Sequence, residues 1–166
     1  MEHITPCLWF DDNAEEAVTF YISIFKDRGG SKIKETSRYG EAAAAASGRP
    51  KGSVLTIMFE ILGQEFMALN GGPVFKFNEA VSFMVNCDTQ DEIDRTWNAL
   101  SGPGSGGEES SCGWLKDKFG LSWQIVPAGF SEMIKDKDPK KSDRVMAALL
   151  QMKKLDIQKL KQAYEG

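Results

Sequence analysis

One succession of short apolar runs, turn residues and a single amphipathic segment occurs twice along the chain, and this repetition limits the fold more than any motif does. The first copy opens with the β-leaning run ITPCLWF, and Asp11, Asp12 and Asn13 after it supply side-chain oxygens to cap a helix. In AEEAVTFYISIF, Ala17, Phe20, Tyr21 and Ile24 recur at spacings of three and four. That spacing predicts a helix from Ala14, favoured at its start by Glu15 and Glu16 and ended by Gly29 and Gly30. KIKETSRYG reads as a strand. Residues 41–52, rich in Ala, Gly and Ser and lacking bulky apolar groups, read as a mobile loop. SVLTIMFEILG and QEFMALN then form a hairpin about Gly63 and Gln64, closed by GGP.

From Val74 the order returns: AVSFMVNC is a strand, Asp88 and Thr89 start a helix, and DEIDRTWNAL continues it. Ile93, Trp97 and Leu100 stand 76 positions after Ala17, Tyr21 and Ile24, an offset that sets Pro6 against Ser82. After SGPGSGG, the segments EESSCGWLKDKFG and LSWQIVP pair around a turn at Lys118 to Gly120. The fold class expected is α+β, two βαβββ modules at 1–73 and 74–127 forming one domain, followed by a helical tail at 128–166. In the tail, Asp143 is a candidate cap, and Val145, Met146, Leu149, Leu150 and Met152 form an apolar stripe. A further helix is expected from Asp156, and KDKDPKK reads as a solvated linker.

Composition narrows the function classes. A formal net charge of -4 and a pI near 5.1 argue against a nucleic-acid partner. The opening residues carry no basic n-region and no long apolar run, so neither a leader nor a membrane span is expected, and the compartment read from this is the cytoplasm. Cys7, Cys87 and Cys112 are odd in number and widely spaced, which argues against a disulfide framework; each sits in or beside an apolar run and reads as a small core residue. His3 is the only histidine. A Cys-His or Ser-His-Asp constellation would have to use it, and a metal site with two imidazoles from this chain is excluded.

ITPCLWFDDNAEEAVTFY, FNEAVSFMVNCDTQDEIDRTWNAL and CGWLKDKFGLSWQIVP together resemble the glyoxalase, bleomycin-resistance and extradiol-dioxygenase superfamily, also called vicinal oxygen chelate. The resemblance spans residues 3–127. Its nearest branch is the PhnB-like one, often labelled 3-demethylubiquinone-9 3-methyltransferase, and the tail DRVMAALLQMKKLDIQKLKQAY is similar to tails of that branch. It implies a cupped mixed sheet built from the two modules, and a homodimer. The methyltransferase label meets a physical objection, because a nucleotide-derived cofactor needs a Gly-rich strand-to-helix turn, whereas GRPKG, NGGP and SGPGSGG lie between strands or in loops.

Metal-using members of the superfamily place a His or Gln on the first strand of each module and a Glu on its last. Carried onto this chain, those positions are Pro6, Met67, Ser82 and Gln124, of which only Gln124 can ligate, so no metal and no cofactor is expected. A register slip of three would admit Asn70 and Glu79 as oxygen ligands. Strand alternation puts Ala80, Ser82 and Met84 on one face and Val81, Phe83 and Val85 on the helix side; Ser122, Gln124 and Val126 alternate with Trp123 and Ile125. Gln124 is then a lone polar group in an apolar pocket or a core amide, and Trp114 and Trp123 are core or lining. The leading expectation is a metal-independent protein that binds a small organic ligand through Pro6, Met67, Asn70, Ser82, Met84, Trp114 and Gln124. The rival is a glyoxalase-like lyase, isomerase or dioxygenase, with a metal on Glu79, Gln124 and Asn70 or with Asp117 or Glu79 as a base.

Overall fold

The computed structural model of the chain describes residues 4–166; His3 and its neighbour Glu2 lie outside the described residues. Two compact units result, Met1–Lys76 and Phe77–Gly166. Each forms a four-stranded mixed sheet with the expected strand and helix order, the first adding a helix between its second and third strands and the second adding helices after its last strand. No described helix is long and apolar enough to cross a membrane.

The first unit contains β1 (Cys7–Phe10), α1 (Ala14–Phe25), β2 (Lys32–Arg38), α2 (Glu41–Ser47), β3 (Val54–Ile61) and β4 (Gln64–Asn70), with strand order β1-β4-β3-β2. β1 runs parallel to β4, and the other pairs are antiparallel. Alternation sends Leu8, Phe10, Ile57, Phe59, Phe66 and Ala68 into the core, where Ala17, Val18, Tyr21 and Phe25 of α1 are also fully enclosed. Asn13 makes no side-chain cap for α1; instead the Asn70 Oδ1 accepts from the Ala14 N–H at 2.9 Å, so the cap comes from the end of β4. The hairpin turn is Leu62–Gly63, one position earlier than expected, both residues at positive φ (50° and 82°) as a primed turn requires.

The segment expected to be a mobile loop is partly helical. Five consecutive alanines, the best helix formers, span α2 between extended Gly40 and left-handed Gly48. None of its residues is buried. A helix without an apolar face gives no periodic signal, which is why the pattern missed it.

The second unit contains β5 (Ser82–Cys87), α3 (Gln90–Ser101), β6 (Glu108–Glu109), β7 (Trp114–Lys116) and β8 (Ser122–Pro127), with order β5-β8-β7-β6. Thr89 caps α3 by accepting from the Glu92 N–H, and the Glu92 carboxylate accepts in turn from the Asp88 N–H. Val85, Cys87, Trp123 and Ile125 meet Ile93, Trp97 and Leu100 in the core. Val81, expected on the helix side, precedes β5 and is 64% exposed. Cys87 is buried as expected, whereas Cys7 is exposed and Cys112 intermediate.

The tail adds α4 (Phe130–Ile134), α5 (Pro139–Leu149) and α6 (Ile157–Glu165). Asp138, not Asp143, caps α5, because Pro139 at the first helical position presets φ and moves the start into the lysine-rich run read as a linker. Asp156 caps α6 as expected. Val145, Leu149, Leu155 and Leu160 pack with Val126 of β8 in a second core, each side chain contributing about 1.5–3 kcal/mol by burial. Backbone bonds from Cys112 N to Met152 O (2.8 Å) and Gly113 N to Lys153 O (2.7 Å) tie the tail to the sheet edge. The Gln90 amide clasps it from the other side through Leu155 O and Ile157 N.

Candidate functional site

In the second unit one sheet face packs on α3 and the other bears a mixed polar and apolar set. Register places Met84 beside Gln124 and Gln124 beside Trp114, a row across β5, β8 and β7. The adjacent row is Ser82, Ser122 and Lys116. Four expected site residues, Ser82, Met84, Trp114 and Gln124, are therefore neighbours on the face away from α3. The Gln124 Nε2 donates to the Ser82 Oγ at 2.9 Å, which fixes the amide orientation and leaves its Oε1 directed elsewhere. Met84 is 55% exposed. Trp123 belongs to the core: its Nε1 donates to the Asp117 Oδ2 at 2.8 Å and its ring lies 5.8 Å from Phe83.

The same face holds two features that reading by residue type passed over. The Ser122 Oγ is buried and is the only such side-chain polar atom without a hydrogen-bond partner among the described residues. Beside it Lys116 pairs with Glu79; this contact holds the Glu79 carboxyl below, and the Lys116 ammonium above, their ordinary pKa values. A depression of about 360 Å³ is lined by Glu79, Glu108, Glu109, Trp114, Lys116 and Ser122, among others. The signal was present in the alternation from Trp114 to Lys116 and from Gln124 to Ser122.

The first unit holds the other three expected residues. Met67 sits between Cys7 and Met58 on the face away from α1. Pro6 precedes β1, and its carbonyl accepts from the Met67 N–H at 2.9 Å. Asn70 is only 5% exposed and fully engaged: its Oδ1 caps α1, its Nδ2 donates to Val54 O at 3.1 Å, and its carbonyl accepts from the Tyr39 hydroxyl at 2.6 Å.

The pairing of Pro6 with Ser82 is out of step by one. α1 and α3 keep the offset of 76 from end to end, but the last core-facing strand residues, Phe10 and Cys87, precede their helices by four and three positions. The strands are therefore offset by one more, and Pro6 shares its face with Leu8 and Phe10, not with Cys7.

The donor set does not fit a metal of the kind the resemblance implies. Proline and methionine offer no oxygen or imidazole, the Ser82 hydroxyl is engaged with Gln124, and a lone amide is a weak ligand. Among the described residues, no group of three or more His, Cys, Asp or Glu is placed to hold an ion. The rival set is occupied as well: Asn70 by the α1 cap, Glu79 by Lys116, and Asp117 by the Phe119 and Leu121 N–H groups and the Trp123 indole. The strand-to-helix turns, Asp11–Asn13 and Asp88–Thr89, contain no glycine, so neither brings backbone close to a phosphate as a nucleotide-binding turn does.

The model of a family described as 3-demethylubiquinone-9 3-methyltransferase matches residues 2–126. Among solved structures, a Bacillus cereus PhnB protein bearing the same description is 34% identical, covering 76% of this chain and 99% of its own, with a TM-score of 0.63. A Pseudomonas aeruginosa protein is 22% identical, covers 76% of this chain and 98% of its own, and reaches 0.58, a likeness of fold. No curated protein matches the chain.

Proposed function

The chain belongs to the 3-demethylubiquinone-9 3-methyltransferase family, the family of PhnB proteins, and on that premise we propose that it binds a small organic molecule without a metal and without transferring a methyl group. Ligand contact is assigned to Ser82, Met84, Trp114 and Gln124; Met67 stands on the comparable face of the first sheet. The observation that carries the reading is the row Met84, Gln124, Trp114, in which a thioether and an indole flank an amide held in place by Ser82. Such a surface offers apolar area with one oriented polar group, the composition of a small-molecule site. The glycine-free turns speak against a nucleotide-derived methyl donor, and the donor set speaks against a metal. A homodimer resident in the cytoplasm belongs to the same proposal.

Ligand-observed NMR with a set of small apolar fragments tests it, on wild type and Gln124→Leu, with metal measured in the same samples by plasma mass spectrometry. Binding weakened by Gln124→Leu at well under one metal per chain is expected. Stoichiometric metal would overturn the metal-free part, and fragment binding indifferent to Gln124→Leu would overturn the site.

A further inference from the structure

We propose that the molecule held on this face is an organic cation, an amine whose ammonium group sits against Glu108 while its apolar body lies on Trp114. The inference rests on the ligand-binding reading above and adds the charge of the ligand. On the face that carries Trp114 the depression holds two carboxylates, those of Glu79 and Glu108. One ammonium group, that of Lys116, answers them, while Glu109 is turned to the α3 side. Lys116 pairs with Glu79; on the α3 side the Glu109 carboxylate accepts from the Trp97 indole at 2.9 Å, with Lys153 at 3.8 Å. Glu108 stands opposite Lys116 in the ladder and feels its charge, but the direct contact of that ammonium is with Glu79, so two carboxylates share one cation. A site with one carboxylate in excess, walled by an indole, favours a cation, because the ring face and the carboxylate both attract positive charge.

Carboxylates alone would be an ordinary solvated rim. What marks a ligand site is Ser122, a residue of the same depression, 1% exposed, whose buried hydroxyl has no hydrogen-bond partner. A buried polar group left unsatisfied destabilises the free protein, and a ligand hydrogen bond would satisfy it. Ser122 shares its face with Lys116 and Trp114, so a molecule lying on the indole reaches towards both the hydroxyl and the acidic edge.

The test uses three probes with one carbon skeleton, 4-phenylbutylamine, 4-phenylbutanol and 4-phenylbutyrate, titrated calorimetrically into the full chain at low and high salt. The amine is expected to bind at least about fivefold tighter than the alcohol, with the carboxylate weakest, and the advantage should shrink as salt rises. Glu108→Gln, at an exposed position, should abolish the advantage, bringing the amine down to the affinity of the alcohol for the same variant. If amine and alcohol bind equally and Trp114→Ala weakens both, the cation inference fails and the ligand site stands. A carboxylate that binds best, or an amine preference that survives Glu108→Gln, also overturns the inference. If none of the three binds, both readings fall.

Discussion

Ser82 and Ser122 face each other across β5 and β8, yet replacing each by alanine should move stability in opposite directions. The Ser122 hydroxyl is buried and unpartnered, so Ser122→Ala removes a desolvation penalty of about 1–3 kcal/mol, reduced by the poorer strand preference of alanine. A net stabilisation of about 1 kcal/mol is expected, or a rise in Tm of about 2–4 °C. Ser82→Ala instead deprives the Gln124 amide of its acceptor and should cost about 1 kcal/mol. The strand-preference term is common to both variants and cancels in their difference of about 2 kcal/mol. Urea unfolding followed by tryptophan fluorescence measures it, since Trp97, Trp114 and Trp123 all lie in the second unit; unchanged m-values would confirm that only stability has moved. The reasoning is refuted if Ser122→Ala destabilises the protein as much as Ser82→Ala does.

Asn70→Ala should cost about 2–4 kcal/mol in the first unit, because it strands the Ala14 N–H and the Val54 carbonyl together; hydrogen exchange at Ala14 no faster than in wild type would contradict the cap. Leu155→Ala should cost about 2–5 kcal/mol by opening a cavity in the tail core, read by thermal unfolding; a loss under about 1 kcal/mol would mean the tail does not stabilise the second sheet. The Glu79 carboxyl should titrate below its ordinary value of 4.5 and the Lys116 ammonium above 10.5. The contribution of the pair is present between these limits. It is lost as pH falls through the lowered Glu79 value or rises through the raised Lys116 value. Carbon-detected NMR titration follows Glu79 directly, and Lys116→Met should return its midpoint toward 4.5; an unmoved midpoint would rule out the pairing.

The architecture was legible because each module repeats strong local signals: α1 and α3 begin near the expected positions, and β3 and β4 read as a hairpin. What escaped had no periodic signature. α2 buries nothing, and in a run with several aspartates no apolar period distinguishes Asp138 from Asp143 as the cap, which Pro139 at the first helical position decides. The offset of one residue between strands and helices is invisible in helix alignment alone, since the extra residue sits in the turn before α1. At the site, alternation placed Ser82, Met84 and Gln124 on one face. Asn70 looked like a free amide until its three hydrogen bonds showed it to be a cap. Hydrogen-bond commitment depends on residues far apart in sequence, which a residue-by-residue reading does not reach.

The most direct test of the binding face is shift-perturbation NMR of the labelled chain titrated with 4-phenylbutanol, a probe that carries no charge. The account predicts changes concentrated on the Met84 methyl, the Trp114 indole N–H and the Gln124 side-chain amide, with Trp123 and Asn70 unmoved. Changes confined to the first unit, or spread evenly over the surface, would contradict it.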